Sequence, residues 1–156
     1  MPLEKPAITV YKQQRELQLF SGEKLVKKYR IALGTSPVGP KTRAGDRRTP
    51  EGKYYVCIKN PNSAYYLSLG ISYPNISDAE SAFKRGQISK GVFQQVEYAI
   101  KKGRIPPWHS AMGGEIFIHG NGSTSDWTWG CVALEDEDMA ELYDAIPIGT
   151  PVTILP

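Results

Sequence analysis

Residue types able to do nucleophilic chemistry are scarce in this chain, which holds only two histidines and two cysteines in 156 residues. One of each brackets a single polar loop. Ile118-His119-Gly120 closes one apolar run, and Thr128-Trp129-Gly130-Cys131-Val132 opens the next. A thiol becomes a nucleophile when an imidazole takes its proton, and a small residue before it lets an acyl group approach the backbone amides. His119 and Cys131 therefore read as a base and a nucleophile, with Gly130 as the small neighbour. The amides of Gly130 and Cys131 are the candidate oxyanion donors. No Asp or Asn stands at a convincing spacing to orient the imidazole, so that role falls to a backbone carbonyl, most simply that of Gly120.

Plainer readings stand beside this one. A cysteine at the head of an apolar strand is commonly core, and a histidine at a strand end is commonly a satisfied surface residue. Zinc is disfavoured, because His109, His119, Cys57 and Cys131 lack the close pairwise spacing of a structural site. Trp127 and Trp129 either wall a groove beside the thiol or pack the loop onto a sheet. The Thr128 hydroxyl either meets substrate or caps the loop.

The elements that must position this pair are mostly strands. Fifteen glycines and twelve prolines imply many turns between short elements. Residues 8–11 and 15–20 alternate with period two and predict a hairpin, and residues 24–34 extend it to a three-stranded meander. Residues 35–52 lack periodicity and read as a long loop ending in Gly45-Asp46-Arg47-Arg48-Thr49-Pro50-Glu51-Gly52. A strand over 53–58 makes Cys57 a small buried hydrophobe, and after a turn at Asn60-Pro61-Asn62-Ser63 a second strand covers 65–71. Ser77 caps a predicted helix running to about residue 85, a second helix spans 87–102, and the two form a helical insertion over about 77–102. Glu135-Asp136-Glu137-Asp138 reads as a helix start that complements the helix dipole rather than as a metal site, and 152–155 closes the chain as a strand.

Length fits one domain over 1–156. The net charge of +3 is spread in ones and twos, which argues against a nucleic-acid partner. Two distant cysteines read as free thiols. No stretch reaches the roughly 18 to 20 apolar residues of a membrane span. The first residues, Met1-Pro2-Leu3-Glu4-Lys5-Pro6, lack the apolar core of a signal peptide, so the chain reads as cytosolic as written or as a mature form with a new methionine.

His119-Gly120 followed by Thr128-Trp129-Gly130-Cys131-Val132 resembles the motif of the L,D-transpeptidase catalytic domain family (YkuD-type). The Gly45-Asp46…Thr49-Pro50-Glu51-Gly52 segment, Ile31-Ala32-Leu33-Gly34 and Gly149-Thr150-Pro151-Val152 extend the likeness over nearly the whole chain. The resemblance implies a mainly β (α+β) fold, a mixed β-sandwich with a helical insertion and one helix after the nucleophile. It implies that Cys131 attacks the carbonyl joining the third and fourth residues of a peptidoglycan stem peptide, releasing D-alanine and leaving a thioester. An amine then gives a cross-link; the alternatives are a carboxypeptidase or amidase that hydrolyses peptidoglycan-linked peptides with water, or a catalytically silent cell-wall-binding module. His119 and Gly120 complete the implied catalytic set, and Thr128, Trp129, Trp127 and Tyr73 are the candidate substrate contacts. No cofactor or metal is expected. The implied partner is peptidoglycan, met by a monomer in the periplasm or cell wall without membrane insertion. Two positions depart from the common pattern: Ala133 replaces an arginine and Trp129 a histidine.

Overall fold

A computed structural model describes residues 3–156. Three antiparallel strands open the chain, β1 (Pro6–Tyr11), β2 (Glu16–Ser21) and β3 (Lys24–Arg30). Period-two alternation dictates this meander: Ile8, Val10, Leu17 and Leu19 turn to the core while their neighbours face outward. Then come β4 (Gly52–Ser63), β5 (Tyr66–Ile71), helices α1 (Ile76–Lys84) and α2 (Lys90–Lys101), strands β6 (Phe117–His119) and β7 (Val132–Ala133), helix α3 (Asp136–Ala145) and strand β8 (Pro151–Leu155).

All eight strands join one sheet in the order β3-β2-β1-β8-β4-β5-β6-β7. The last strand inserts between the first hairpin and β4, parallel to β1 and antiparallel to β4. The expected mainly β architecture is thus built from a single sheet that curls on itself. Its two ends meet where Ala32 exchanges backbone hydrogen bonds with Ala133, at 2.8 and 2.9 Å. Beside that contact, Gly34 bridges Thr128. The closure explains why β3 ends at Arg30 rather than running to Gly34: past that point the backbone leaves β2 and pairs with the segment carrying the thiol.

Other boundaries moved for similar reasons. Helix α1 starts from Asn75, not Ser77, because the Asn75 side chain accepts from Asp78 N at 2.8 Å while the Asp78 carboxylate accepts from Asn75 N at 3.0 Å. Helix α2 begins after a Ser89 cap, leaving Gln87 outside it to donate to the Thr42 carbonyl. Strand β4 continues through the expected turn at residues 60–63, with a register shift there. The acidic run does start α3, with Glu135 as its N-cap. The aperiodic segment 35–51 is built around Asp46, which accepts from the backbone N–H groups of Thr42, Arg43 and Arg48 and from Lys41 Nζ.

Candidate active site

Strands β6 and β7 are parallel, with Ile118 opposite Val132 and His119 opposite Ala133. Continuing that ladder sets Cys131 opposite Phe117. Alternate residues of a strand share a face, so His119 and Cys131 project from the same face as diagonal neighbours across the two strands. The short apolar runs on either side, Ile116 to Ile118 and Val132 to Leu134, provide the rigid support, since Ile118, Val132 and Leu134 are fully buried.

The imidazole is held on every side. His119 Nδ1 lies 2.7 Å from the Gly120 carbonyl, so Nδ1 carries the proton and Nε2 is left as the free base. Tyr65 stacks on the ring at 4.8 Å, and Trp127 meets it edge-on at 5.5 Å. Burial lowers the His119 pKa below the ordinary histidine value, while the Gly120 carbonyl pulls it upward. The ring is neutral at neutral pH.

Cys131 is half-buried and unpaired with Cys57. Its sulfur accepts from Phe117 N–H at 3.4 Å and donates to the Glu115 carbonyl at 3.6 Å. Burial pushes the thiol up to about 11, the Phe117 amide and the Lys41 charge pull it down, and Glu115 pushes it further up. At rest the pair is therefore a neutral thiol beside a neutral imidazole, with no hydrogen bond between them among the described residues. A thiol in this state can act as a nucleophile only if it gives up its proton as it reacts.

The two expected oxyanion donors differ. Gly130 N–H donates to Thr128 Oγ1 at 3.2 Å, and that hydroxyl donates to the Cys131 carbonyl at 2.7 Å. Gly130 N–H is thus committed inside the loop, whereas Cys131 N–H makes no hydrogen bond among the described residues. The glycine is required for a second reason: φ at Gly130 is +131°, and a Cβ there would sit 2.7 Å from the Arg48 carbonyl.

The family model for the L,D-transpeptidase catalytic domain, YkuD, matches residues 5–154. This chain belongs to the YkuD family. Among curated proteins, YafK of Escherichia coli (strain K12), whose name assigns it provisionally to the L,D-transpeptidases, is 35% identical over 83 residues, 49% of this chain and 34% of YafK. The chain spans about a third of that relative's length. Among solved structures, the helical cell shape determining protein Pgp2 (K307A mutant) from Campylobacter jejuni superposes with a TM-score of 0.65 at 22% identity, covering 97% of this chain and 47% of Pgp2. Bd1075 of Bdellovibrio bacteriovorus gives 0.62 at 23% identity, covering 98% and 48%. An L,D-transpeptidase from Mycobacterium smegmatis gives 0.58 at 11% identity, covering 97% and 59%. At these identities the superpositions show the shared fold.

In this YkuD chain the remaining candidates divide by location. Trp127 is packing: besides touching His119 it donates Nε1 to the Gly122 carbonyl at 3.0 Å. Trp129 is the tryptophan that faces solvent, 73% exposed. Thr128 is buried and braces the loop, which removes its hydroxyl from substrate. Tyr73 is corrected outright. It is wholly buried in the core, with its hydroxyl donated to the Met112 carbonyl at 2.9 Å. Ala133 is likewise sealed, and both its backbone groups pair with Ala32, so an arginine at this position of the fold would have to bury its charge.

Three supports escaped the sequence reading. Asp126 is gripped by Arg15 Nε and Nη2, at 3.0 and 2.7 Å, and accepts from Leu33 N at 2.9 Å, tying the thiol loop to the opening hairpin. Glu135 accepts from the Ser123 amide and hydroxyl, and Asp136 from Asn121 N. Tyr65 covers the imidazole. The run of carboxylates at the start of α3 was the one visible signal. The others join residues too distant in the chain for spacing to reveal.

Proposed function

We propose that this chain is a cysteine-dependent L,D-transpeptidase acting on peptidoglycan stem peptides through a thioester. The observation that carries the reading is the placement of His119, its Nδ1 fixed by Gly120, on the same sheet face as a Cys131 whose own N–H is unengaged among the described residues. His119 Nε2 takes the thiol proton as Sγ attacks the carbonyl between the third and fourth stem residues. The Cys131 N–H faces the developing oxyanion. Collapse breaks the peptide bond, and His119 returns the proton to the departing D-alanine amine. The thioester then passes its acyl group to an amine of another stem, regenerating the thiol. Water in place of that amine gives a carboxypeptidase. Membership of the YkuD family supports the substrate class, and with it a site of action in the periplasm or cell wall.

The test incubates purified protein with a stem tetrapeptide, with and without an amine acceptor, and follows products by mass spectrometry. Cross-linked dimer together with an acyl adduct on Cys131 is the expected result. Free tripeptide alone assigns hydrolysis. A parent protein that never forms an adduct with peptide or carbapenem, and retains wall binding as Cys131→Ala, is a silent binding module.

A further inference from the structure

Arg47 and Trp129 meet across a large gap in sequence. The guanidinium carbon lies 5.1 Å from the centroid of the Trp129 ring, within the range of a cation–π contact. Arg47 is exposed, and among the described residues its guanidinium has neither a carboxylate partner nor a hydrogen-bond acceptor. The cation is held in place by an aromatic face, which leaves its planar fork of donors free.

The backbone beneath it is fixed against the thiol loop. The Arg47 carbonyl accepts from Ser36 N at 3.1 Å and occupies the space a Gly34 side chain would need, and the Arg48 carbonyl does the same at Gly130. Only Gly130 separates Trp129 from Cys131. Lys41 and position 133 do not compete for the role. Lys41 is buried and committed to Asp46 and the Arg43 carbonyl, and residue 133 is a buried alanine. The nearby acid, Glu115, is exposed and makes no ion pair among the described residues. Arg43, Arg48 and Asp46 line a polar cleft of about 280 Å³ in the same segment, so the two guanidiniums outweigh its one carboxylate.

A peptide whose scissile carbonyl is followed by one final residue carries a carboxylate one residue beyond the point of attack. A guanidinium fork matches that group in shape and charge, and a cation seated on Trp129, two positions before Cys131 in the chain, is placed on the rim where it arrives. We infer that Arg47, positioned on Trp129, is the specificity-determining residue that reads a free C-terminal carboxylate on the acyl donor. The assignment rests on the acyl-enzyme reading above. It makes the enzyme act at chain ends and discriminate against donors whose terminus is amidated or extended.

The test compares kcat/KM for a stem tetrapeptide with a free C-terminal carboxylate and for the same peptide as its C-terminal amide. The proteins are the parent, Arg47→Gln, Arg47→Lys and, as a control, Arg104→Gln, another exposed guanidinium seated on an aromatic ring, that of Tyr98. A charge-assisted pair is expected to give the parent a preference for the free acid of about tenfold or more. Arg47→Gln brings that ratio close to one by raising KM for the acid with little change in kcat, Arg47→Lys lies between, and Arg104→Gln matches the parent. A ratio that is the same in the parent and Arg47→Gln, or a parent that takes acid and amide alike while forming a Cys131 thioester, overturns the assignment of Arg47 alone. A parent that forms no thioester with either peptide overturns the acyl-enzyme reading and the assignment with it.

Discussion

Arg15 and Asp126, 111 positions apart, form a two-pronged ion pair that ties the first hairpin to the loop between His119 and Cys131. The carboxylate also accepts from Leu33 N, so one side chain joins three segments at the place where the curled sheet closes. Arg15 holds the Asp126 carboxyl below the usual aspartate range against the opposing effect of burial.

Removing this clamp is expected to cost stability and activity together. Asp126→Ala leaves Leu33 N–H and the Arg15 fork without their acceptor, an effect of about 1–3 kcal/mol. Because the Asp126 pKa is depressed, its stabilisation is fully present above pH 3.8 and is lost as pH falls through the lower folded value. Urea melts at pH 7 and pH 3 check this: the gap between parent and Asp126→Ala should narrow at the lower pH.

The thiol is expected to behave as an unactivated one until substrate arrives. With Cys131 raised to about 11, iodoacetamide alkylation should keep accelerating through pH 9 and 10, without the plateau near neutrality that a resting thiolate–imidazolium pair produces. Cys57, raised to about 12 by burial, should remain unlabelled in the native protein. Peptide mapping of the alkylated protein distinguishes the two sites.

Trp127→Ala is expected to expose one edge of the imidazole and let the His119 pKa climb back towards 6.5. In the parent the lowered pKa means that stability is full above pH 6.5 and declines as pH falls from there through the folded value. NMR titration of the His119 ring, with His109→Gln to simplify the spectrum, reads the shift directly. The acid limb of carbapenem acylation should move to higher pH by the same amount.

Two glycines carry the closure of the site. Gly34→Ala drives a methyl into the Arg47 carbonyl, and Gly130→Ala adds a left-handed backbone requirement to a 2.7 Å clash with the Arg48 carbonyl. Each is expected to destabilise by at least about 1–3 kcal/mol, because the obstructing atoms are backbone. Gly45→Ala, whose added Cβ meets nothing within 4 Å, has only its positive φ to strain it and should cost less. Thermal melts of the three variants rank them, and the thioester yield of Gly130→Ala reports the damage at Cys131.

Local spacing and residue type were enough to bring out His119 and Cys131 as a pair, the glycine before the thiol, the Gly120 carbonyl as the ring's partner, a mainly β chain and an acid-led helix after Cys131. Each of these is a short-range property, since period-two alternation defines a strand's faces and a carbonyl one residue away is within reach of its own side chain. Tertiary structure decided what those residues have left to offer. Thr128 and Gly130 spend their polar groups on each other, Tyr73 is sealed in the core, and helix α1 takes its cap from Asn75. The bond of Arg15 to Asp126, the stacking of Tyr65 on His119 and the seat of Arg47 on Trp129 exist because β8 inserts between β1 and β4 and the curled sheet joins Ala32 to Ala133. Such pairings depend on which distant strands meet, and that is settled by packing the whole core, where no local periodicity carries a signal.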